Sequence, residues 1–159
     1  MPDPTANETV DDLAAAIADA LEAEDRTLGV AESLTGGLLA NALARAEGAS
    51  TWFRGGIVAY SPAVKHGLLA VRPGPVVSAE AAADMAEQAA RLLDADVVVA
   101  VTGVGGPDPQ DGLPPGTVWL AVTTNGTTRT HGHRFAGEPP EVIRRSVIAA
   151  LECVLATMA

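Results

Sequence analysis

The chain has 159 residues, 48% of them apolar and only 3% aromatic, and a formal net charge of −10. This length and apolar content predict one domain whose sizeable core is built from many small side chains, with no room for a second. The acidic balance excludes electrostatic binding of nucleic acid, whose phosphates would be repelled, while a small anion can still enter a local pocket.

Residues 1–7 read as a disordered acidic tail and residues 8–159 as the single domain. The start, Met1-Pro2-Asp3-Pro4, lacks a basic segment followed by an apolar one, and no stretch is apolar enough to span a bilayer. A cytoplasmic protein without membrane contact is therefore expected. Val10, Leu13, Ala14, Ile17 and Leu21 recur at helical spacing and predict a helix over 8–24. Thr27–Ala31 is a short apolar strand, and Leu38, Leu39 and Leu43 behind Thr35-Gly36-Gly37 predict a helix, giving a strand–turn–helix unit. Gly55 to Tyr60 is a second strand. Ser61-Pro62 ends it and suits the first turn of a short helix carrying Lys65.

Ser78 is a good N-cap for a helix over about 79–93, with Ala82, Met85, Ala86, Ala89 and Leu93 as its apolar stripe. Asp96–Val101 is an unbroken β-branched run, as a central parallel strand covered on both faces requires. A Gly/Pro/Asp loop over 103–115 leads to strands at 116–124 and 127–135, joined by Asn125-Gly126, a strong hairpin signal. A last helix over about 138–157 turns Val147, Leu151, Val154 and Leu155 inward. The single cysteine, Cys153, lies in this pattern, has no disulfide partner and reads as a core thiol. Early strand–helix alternation followed by a hairpin predicts a three-layer α/β/α sandwich around a mixed five-stranded sheet.

In open α/β sheets ligands sit beyond the carboxyl ends of the parallel strands, where residues 31–37, 59–65 and 101–108 converge. Ser33 offers a nucleophile and Lys65 a base, with Tyr60 beside it; a neutral Lys65 takes the serine proton directly or through Tyr60, as serine–lysine hydrolases do. Thr102, Gly103, Gly105 and Gly106 offer main-chain donors to a phosphate or ribose. Arg144 or Arg145 supplies the cation that an acidic protein needs at an anion site. Each residue also admits a plainer role: Ser33 and Thr35 as helix caps, Tyr60 as a strand-end anchor, Lys65 or the arginines as surface charges, and the glycines as a tight turn. Glu32 positions Lys65 or a substrate ribose, or is a turn carboxylate. His131 and His133 share no metal-ligand spacing with a cysteine or carboxylate cluster and fit the alternation of a hairpin strand.

The segments AESLTGGLLA at 31–40, WFRGGIVAYSPAVKHGLL at 52–69, VSAEAAADMAEQA at 77–89, VAVTGVGGPD at 99–108 and PPGTVWLAV at 114–122, with an arginine-bearing terminal helix, resemble the C-terminal domain family of the competence-damage-inducible protein CinA. Its stand-alone members are nicotinamide-nucleotide amidohydrolases. The resemblance covers nearly the whole chain and implies conversion of nicotinamide mononucleotide to nicotinate mononucleotide and ammonia, without organic cofactor or metal. It places the family's Ser-Tyr-Lys group on Ser33, Tyr60 and Lys65. Substrate contacts are expected at Glu32, Thr35, Gly36, Thr102, Gly103, Gly105, Gly106 and at Arg144 or Arg145. Gly137-Glu138-Pro139 departs from the Gly-Asp-Arg common in relatives. The alternatives are an amidase for a related pyridine or ribosyl amide and a non-catalytic nucleotide-binding module in competence or DNA-damage physiology. A homodimer is the expected assembly.

Overall fold

A computed structural model describes the backbone of residues 4–159 and the side chains from Glu8 onward. The elements are α1 (Pro4–Glu24), β1 (Leu28–Glu32), α2 (Leu38–Ala44), α3 (Ala49–Trp52), β2 (Phe53–Val58), α4 (Pro62–Gly67), α5 (Ala79–Leu93), β3 (Val97–Gly103), β4 (Thr117–Thr124), β5 (Thr127–Arg134) and α6 (Pro139–Met158). The first helix begins ahead of residue 8, so the backbone of 4–7 is helical; residues 1–3 of the expected tail lie outside the described residues. The short α3 is an addition to the sequence-based elements.

The strands form one sheet in the order β2-β1-β3-β4-β5, parallel among the first three and antiparallel at β4 and β5. In β3 all seven residues are buried, because alternate side chains enter different cores. Val97, Val99 and Val101 pack with Ile17, Leu21, Leu39, Leu151 and Val154 from α1, α2 and α6. Val98 and Ala100 face Ala82, Met85, Ala86 and Ala89 of α5. Helices thus cover both faces, making the expected three-layer sandwich with a mixed sheet. This two-sided burial explains why β3 shows no polar alternation.

Local chemistry sets the element ends. The Ser78 hydroxyl accepts from the Ala81 N–H at 3.0 Å and starts α5, Glu80 and Arg91 sit at the ends that suit the helix dipole, and Asp94 in the left-handed region closes it. Asn125-Gly126 closes the β4–β5 hairpin with Thr124 paired to Thr127. Of the inward set expected on α6, Val147, Leu151 and Val154 are buried and Leu155 is half-buried; Cys153 is half-buried against the same core.

Gly116 joins the long β3–β4 loop to β4 at φ +90°, and a Cβ there would run into the Phe135 carbonyl oxygen. The Phe135 N–H donates back to the Gly116 carbonyl at 2.8 Å, so the two segments cannot separate without losing that bond. Gly116→Ala is expected to lower unfolding stability by about 3 kcal/mol, through left-handed strain and overpacking together, as read by urea denaturation.

Candidate active site

β1 ends on Glu32, whose side chain is 0% exposed. Its Oε1 accepts from the Thr35 hydroxyl at 2.6 Å and from the N–H groups of Gly37 at 3.2 Å and Leu39 at 2.9 Å, and its Oε2 accepts from the Ala40 N–H at 3.0 Å. The N-cap residue of α2, Gly37, has no side chain to satisfy these donors, so a carboxylate from the preceding strand does so, at the end of the helix where negative charge is favoured. Ser33 is thereby relieved of capping. Among the described residues its hydroxyl has no hydrogen-bond partner, and it stands in a cleft at 3% exposure.

The end of β2 is tied to the end of β1 by the Ala59 N–H donating to the Glu32 carbonyl at 2.8 Å. This places Tyr60, 71% exposed, at the mouth of the same cleft. The Ser61 hydroxyl then accepts from the Val64 N–H at 3.3 Å and Pro62 opens α4, which carries Lys65 inward to 2% exposure. Lys65 is the only lysine of the chain. Among the described residues no carboxylate ion-pairs with it, and burial pushes its amine below the ordinary lysine range, with the charge of Asp111 acting in the opposite sense.

At the end of β3 the fully buried Thr102 donates its hydroxyl to the Val76 carbonyl at 2.6 Å, a structural clamp. A Cβ on Gly103 would meet the Thr117 carbonyl oxygen at 2.9 Å, so this glycine lets β3 and β4 close up while its main chain borders the cleft. Gly105 and Gly106 follow, and among the described residues no acceptor receives their N–H groups. The cleft, of about 430 Å³, is lined by Ser33, Tyr60, Lys65 and these glycines, and its wall also includes Leu34, Asp108, Gln110, Pro139 and Ile143. That volume suits a small organic ligand.

Six of the expected contacts lie outside this lining: Glu32, Thr35, Gly36, Thr102, Arg144 and Arg145. For Glu32, Thr35 and Thr102 the reason is the buried hydrogen bonds above. Arg144 and Arg145 both hold Glu141, through Nη2 to Oε1 at 2.5 Å and Nε to Oε1 at 2.7 Å, and their hydrogen bonds pull its carboxyl down to about 2. The sequence carried a signal for this, since positions i+3 and i+4 from a helical glutamate face it. No direct sequence signal marked Pro139 and Ile143, which reach the cleft because α6 begins beside the glycine loop.

Depressions of about 450 and 520 Å³ flank the β4–β5 hairpin. The first includes Cys153, whose thiol burial pushes up and so keeps protonated, unsuited to attack. His133 stacks on Phe135 at 5.0 Å between ring centres and has its protonation disfavoured by burial and by His131. Among the described residues no three histidine, cysteine or acidic side chains gather as a metal site, and no helix is long and apolar enough to cross a membrane.

A mixed α/β/α domain with a serine and an amine in one cleft, at the carboxyl edge of its parallel strands, is the class these features define. The particular family follows from the sequence: the profile of the CinA C-terminal domain matches residues 10–158, and the chain belongs to that family. A putative competence-damage inducible protein of Lacticaseibacillus casei is 40% identical over 149 residues, covering 90% of this chain and 36% of the relative. The chain thus spans about a third of the length of such relatives. Protein YdeJ of Escherichia coli matches nearly end to end, 38% identical over 154 residues, with 93% of this chain and 90% of the relative covered. The crystal structure of a competence or damage-inducible protein from Enterobacter asburiae superposes with a TM-score of 0.92 at 31% identity, covering 94% of this chain and 98% of that one. A CinA superfamily protein from Escherichia coli gives 0.89 at 35% identity, covering 99% and 93%.

Glu32→Ala strands four donors that the carboxylate now accepts. It is expected to lower stability by about 3 kcal/mol, and urea denaturation will read the loss. A substrate-contact role predicts instead a raised KM with unchanged stability.

Proposed function

We propose that the protein is a nicotinamide-nucleotide amidohydrolase that converts nicotinamide mononucleotide to nicotinate mononucleotide and ammonia. The observation that carries this reading is the meeting, in one cleft, of a serine hydroxyl and the chain's single, buried lysine, neither of which is bonded or ion-paired through its side chain among the described residues. A serine needs a base to attack a carboxamide, and a lysine held below its ordinary pKa provides one.

Neutral Lys65 takes the Ser33 proton as Oγ bonds to the carboxamide carbon. The tetrahedral oxyanion is met by main-chain N–H groups, with Gly105 and Gly106 as the donors at hand. Lys65 returns the proton to the nitrogen, ammonia leaves, and a nicotinoyl ester remains on Ser33. Water then gives a proton to Lys65, attacks the ester and restores the serine. Tyr60 adds a hydroxyl at the mouth. The scheme calls on no cofactor or metal.

A cleft lining without arginine among the described residues favours a second reading, an amidase for a related pyridine or ribosyl amide that lacks the phosphate. Ammonia release is the assay for both, with nicotinamide mononucleotide and nicotinamide riboside offered side by side. The expected result is turnover of the mononucleotide, lost by at least about a thousandfold in Ser33→Ala with the fold intact. Faster turnover of the riboside selects the second reading. Binding of the mononucleotide without turnover of either compound leaves a non-catalytic module.

Lys65→Met is expected to remove turnover to a similar degree. Since burial lowers the Lys65 pKa, the unfolded chain binds more protons than the folded one between that lowered value and about 10.4, so this lysine makes stability rise with pH across that window. Thermal melts of both proteins from neutral to alkaline pH should show this rising contribution in the native protein and not in Lys65→Met.

A further inference from the structure

The loop that leaves β3 carries Pro107-Asp108-Pro109 directly after the glycines of the cleft. Pro107 sets its own φ, and Pro109 keeps the residue before it out of the helical region, so the backbone about Asp108 is narrowly restricted. Asp108 belongs to the cleft lining and is exposed there. Among the described residues its carboxylate has neither a hydrogen bond nor an ion pair, whereas Asp84 is held by Arg72, Asp96 by Thr27 and Glu141 by Arg144 and Arg145.

The side chains that the β1 end, the glycines and α6 bring to the lining are uncharged, which leaves Lys65 and Asp108 as its charged groups among the described residues. Attack by Ser33 calls for Lys65 as the neutral amine, the form that burial favours. In that state the lining holds a single negative charge, at Asp108. An N-ribosyl nicotinamide brings the opposite charge, because its ring is a pyridinium whose quaternary nitrogen lies meta to the carbon bearing the carboxamide. Gly105 and Gly106 are the donors at hand for the oxyanion, and two residues of extended chain carry the backbone at most about 7 Å from Gly106 to Asp108. That reach spans the pyridine ring. A carboxamide seated between Ser33 and these glycines therefore brings its ring nitrogen into the part of the cleft that Asp108 borders.

We propose that Asp108 recognises the cationic ring of the substrate, its carboxylate pairing with the pyridinium while Ser33 and Lys65 act on the carboxamide. The inference rests on the reading of the cleft as an amidase site for an N-ribosyl nicotinamide, and it holds for the mononucleotide and the riboside alike because both carry the same ring. The ring charge is present in the bound substrate and is unchanged in the tetrahedral intermediate. Asp108 thus favours both to the same degree and acts on binding, not on the chemical step. It also discriminates: free nicotinamide and the reduced 1,4-dihydro compounds have neutral rings and forgo the pairing.

Calorimetry reads the pairing without turnover in Ser33→Ala protein, alone and combined with Asp108→Asn or with Asp111→Asn, a second exposed carboxylate of the same loop. The ligands are nicotinamide mononucleotide and nicotinamide riboside, each as the pyridinium cation and as the neutral 1,4-dihydro form, and thermal melts check that each variant is folded. Asp108→Asn is expected to weaken binding of the cations about threefold to tenfold and to leave the dihydro forms within about twofold, with added salt shrinking the difference. Asp111→Asn is expected to change neither. With Ser33 in place, Asp108→Asn should raise KM for the cation that is turned over by the same factor at unchanged kcat. An equal loss for cation and dihydro form assigns Asp108 to the ribose and overturns the proposal, as does no loss, or the same loss in Asp111→Asn. Ammonia release by the native protein then leaves the proposed function standing. Failure of all four ligands to bind overturns the pairing too, and without ammonia release it overturns the proposed function as well.

Discussion

A carboxylate removed from water is tolerable only when its lone pairs are satisfied, and Glu32 shows how much structure can be organised around meeting that demand. Its four hydrogen bonds bind the end of β1, the turn and the first residues of α2 into one unit. Its main-chain carbonyl adds the end of β2 through Ala59. The serine that follows Glu32 and the tyrosine that follows Ala59 are consequently fixed relative to each other by one residue outside the cleft lining. The usual division of labour at a strand–helix turn is altered: the acid inside the strand caps the helix and the hydroxyl in the turn stays available.

Charge is distributed with similar economy. Nine of the ten cationic side chains are arginine, which keeps its proton in every surroundings, and the one amine able to lose a proton is placed where water is scarce. Arg72 is held by Asp84 through two side-chain bonds at 2.9 and 2.8 Å, and Arg144 and Arg145 by Glu141, so these guanidinium groups serve the scaffold. Among the described residues the charged groups in the cleft lining are then the Lys65 amine and the Asp108 carboxylate.

Much of this was legible in the sequence where the signal was local and repeated. The run from Val97 to Val101, the Ser78 cap and the Asn125-Gly126 turn each dictated an element, and the glycine-flanked Ser33, Tyr60 and Lys65 do share a cleft. The role of Glu32 was hidden because its partners are mostly main-chain N–H groups five to eight residues on, which have no side-chain signature. The clamp made by the Thr102 hydroxyl was hidden for a related reason, since Val76 offers only a carbonyl and lies 26 residues away. The four-residue α3 is too short for its periodicity to register.

The alanines between α5 and the sheet carry a consequence for how firmly the site is held. Ala81, Ala82, Ala86 and Ala89 meet Ala31, Ala59, Ala100 and Ala121, and a methyl group has no alternative rotamers to explore. Ala31 and Ala59 sit just before Glu32 and Tyr60 in the chain. The alanine contacts of this layer therefore become ordered with almost no loss of side-chain entropy, and Met85 is the one long flexible side chain that α5 adds to them. At those alanine contacts strand and helix can shift only as whole elements, since no side chain there has a torsion to turn.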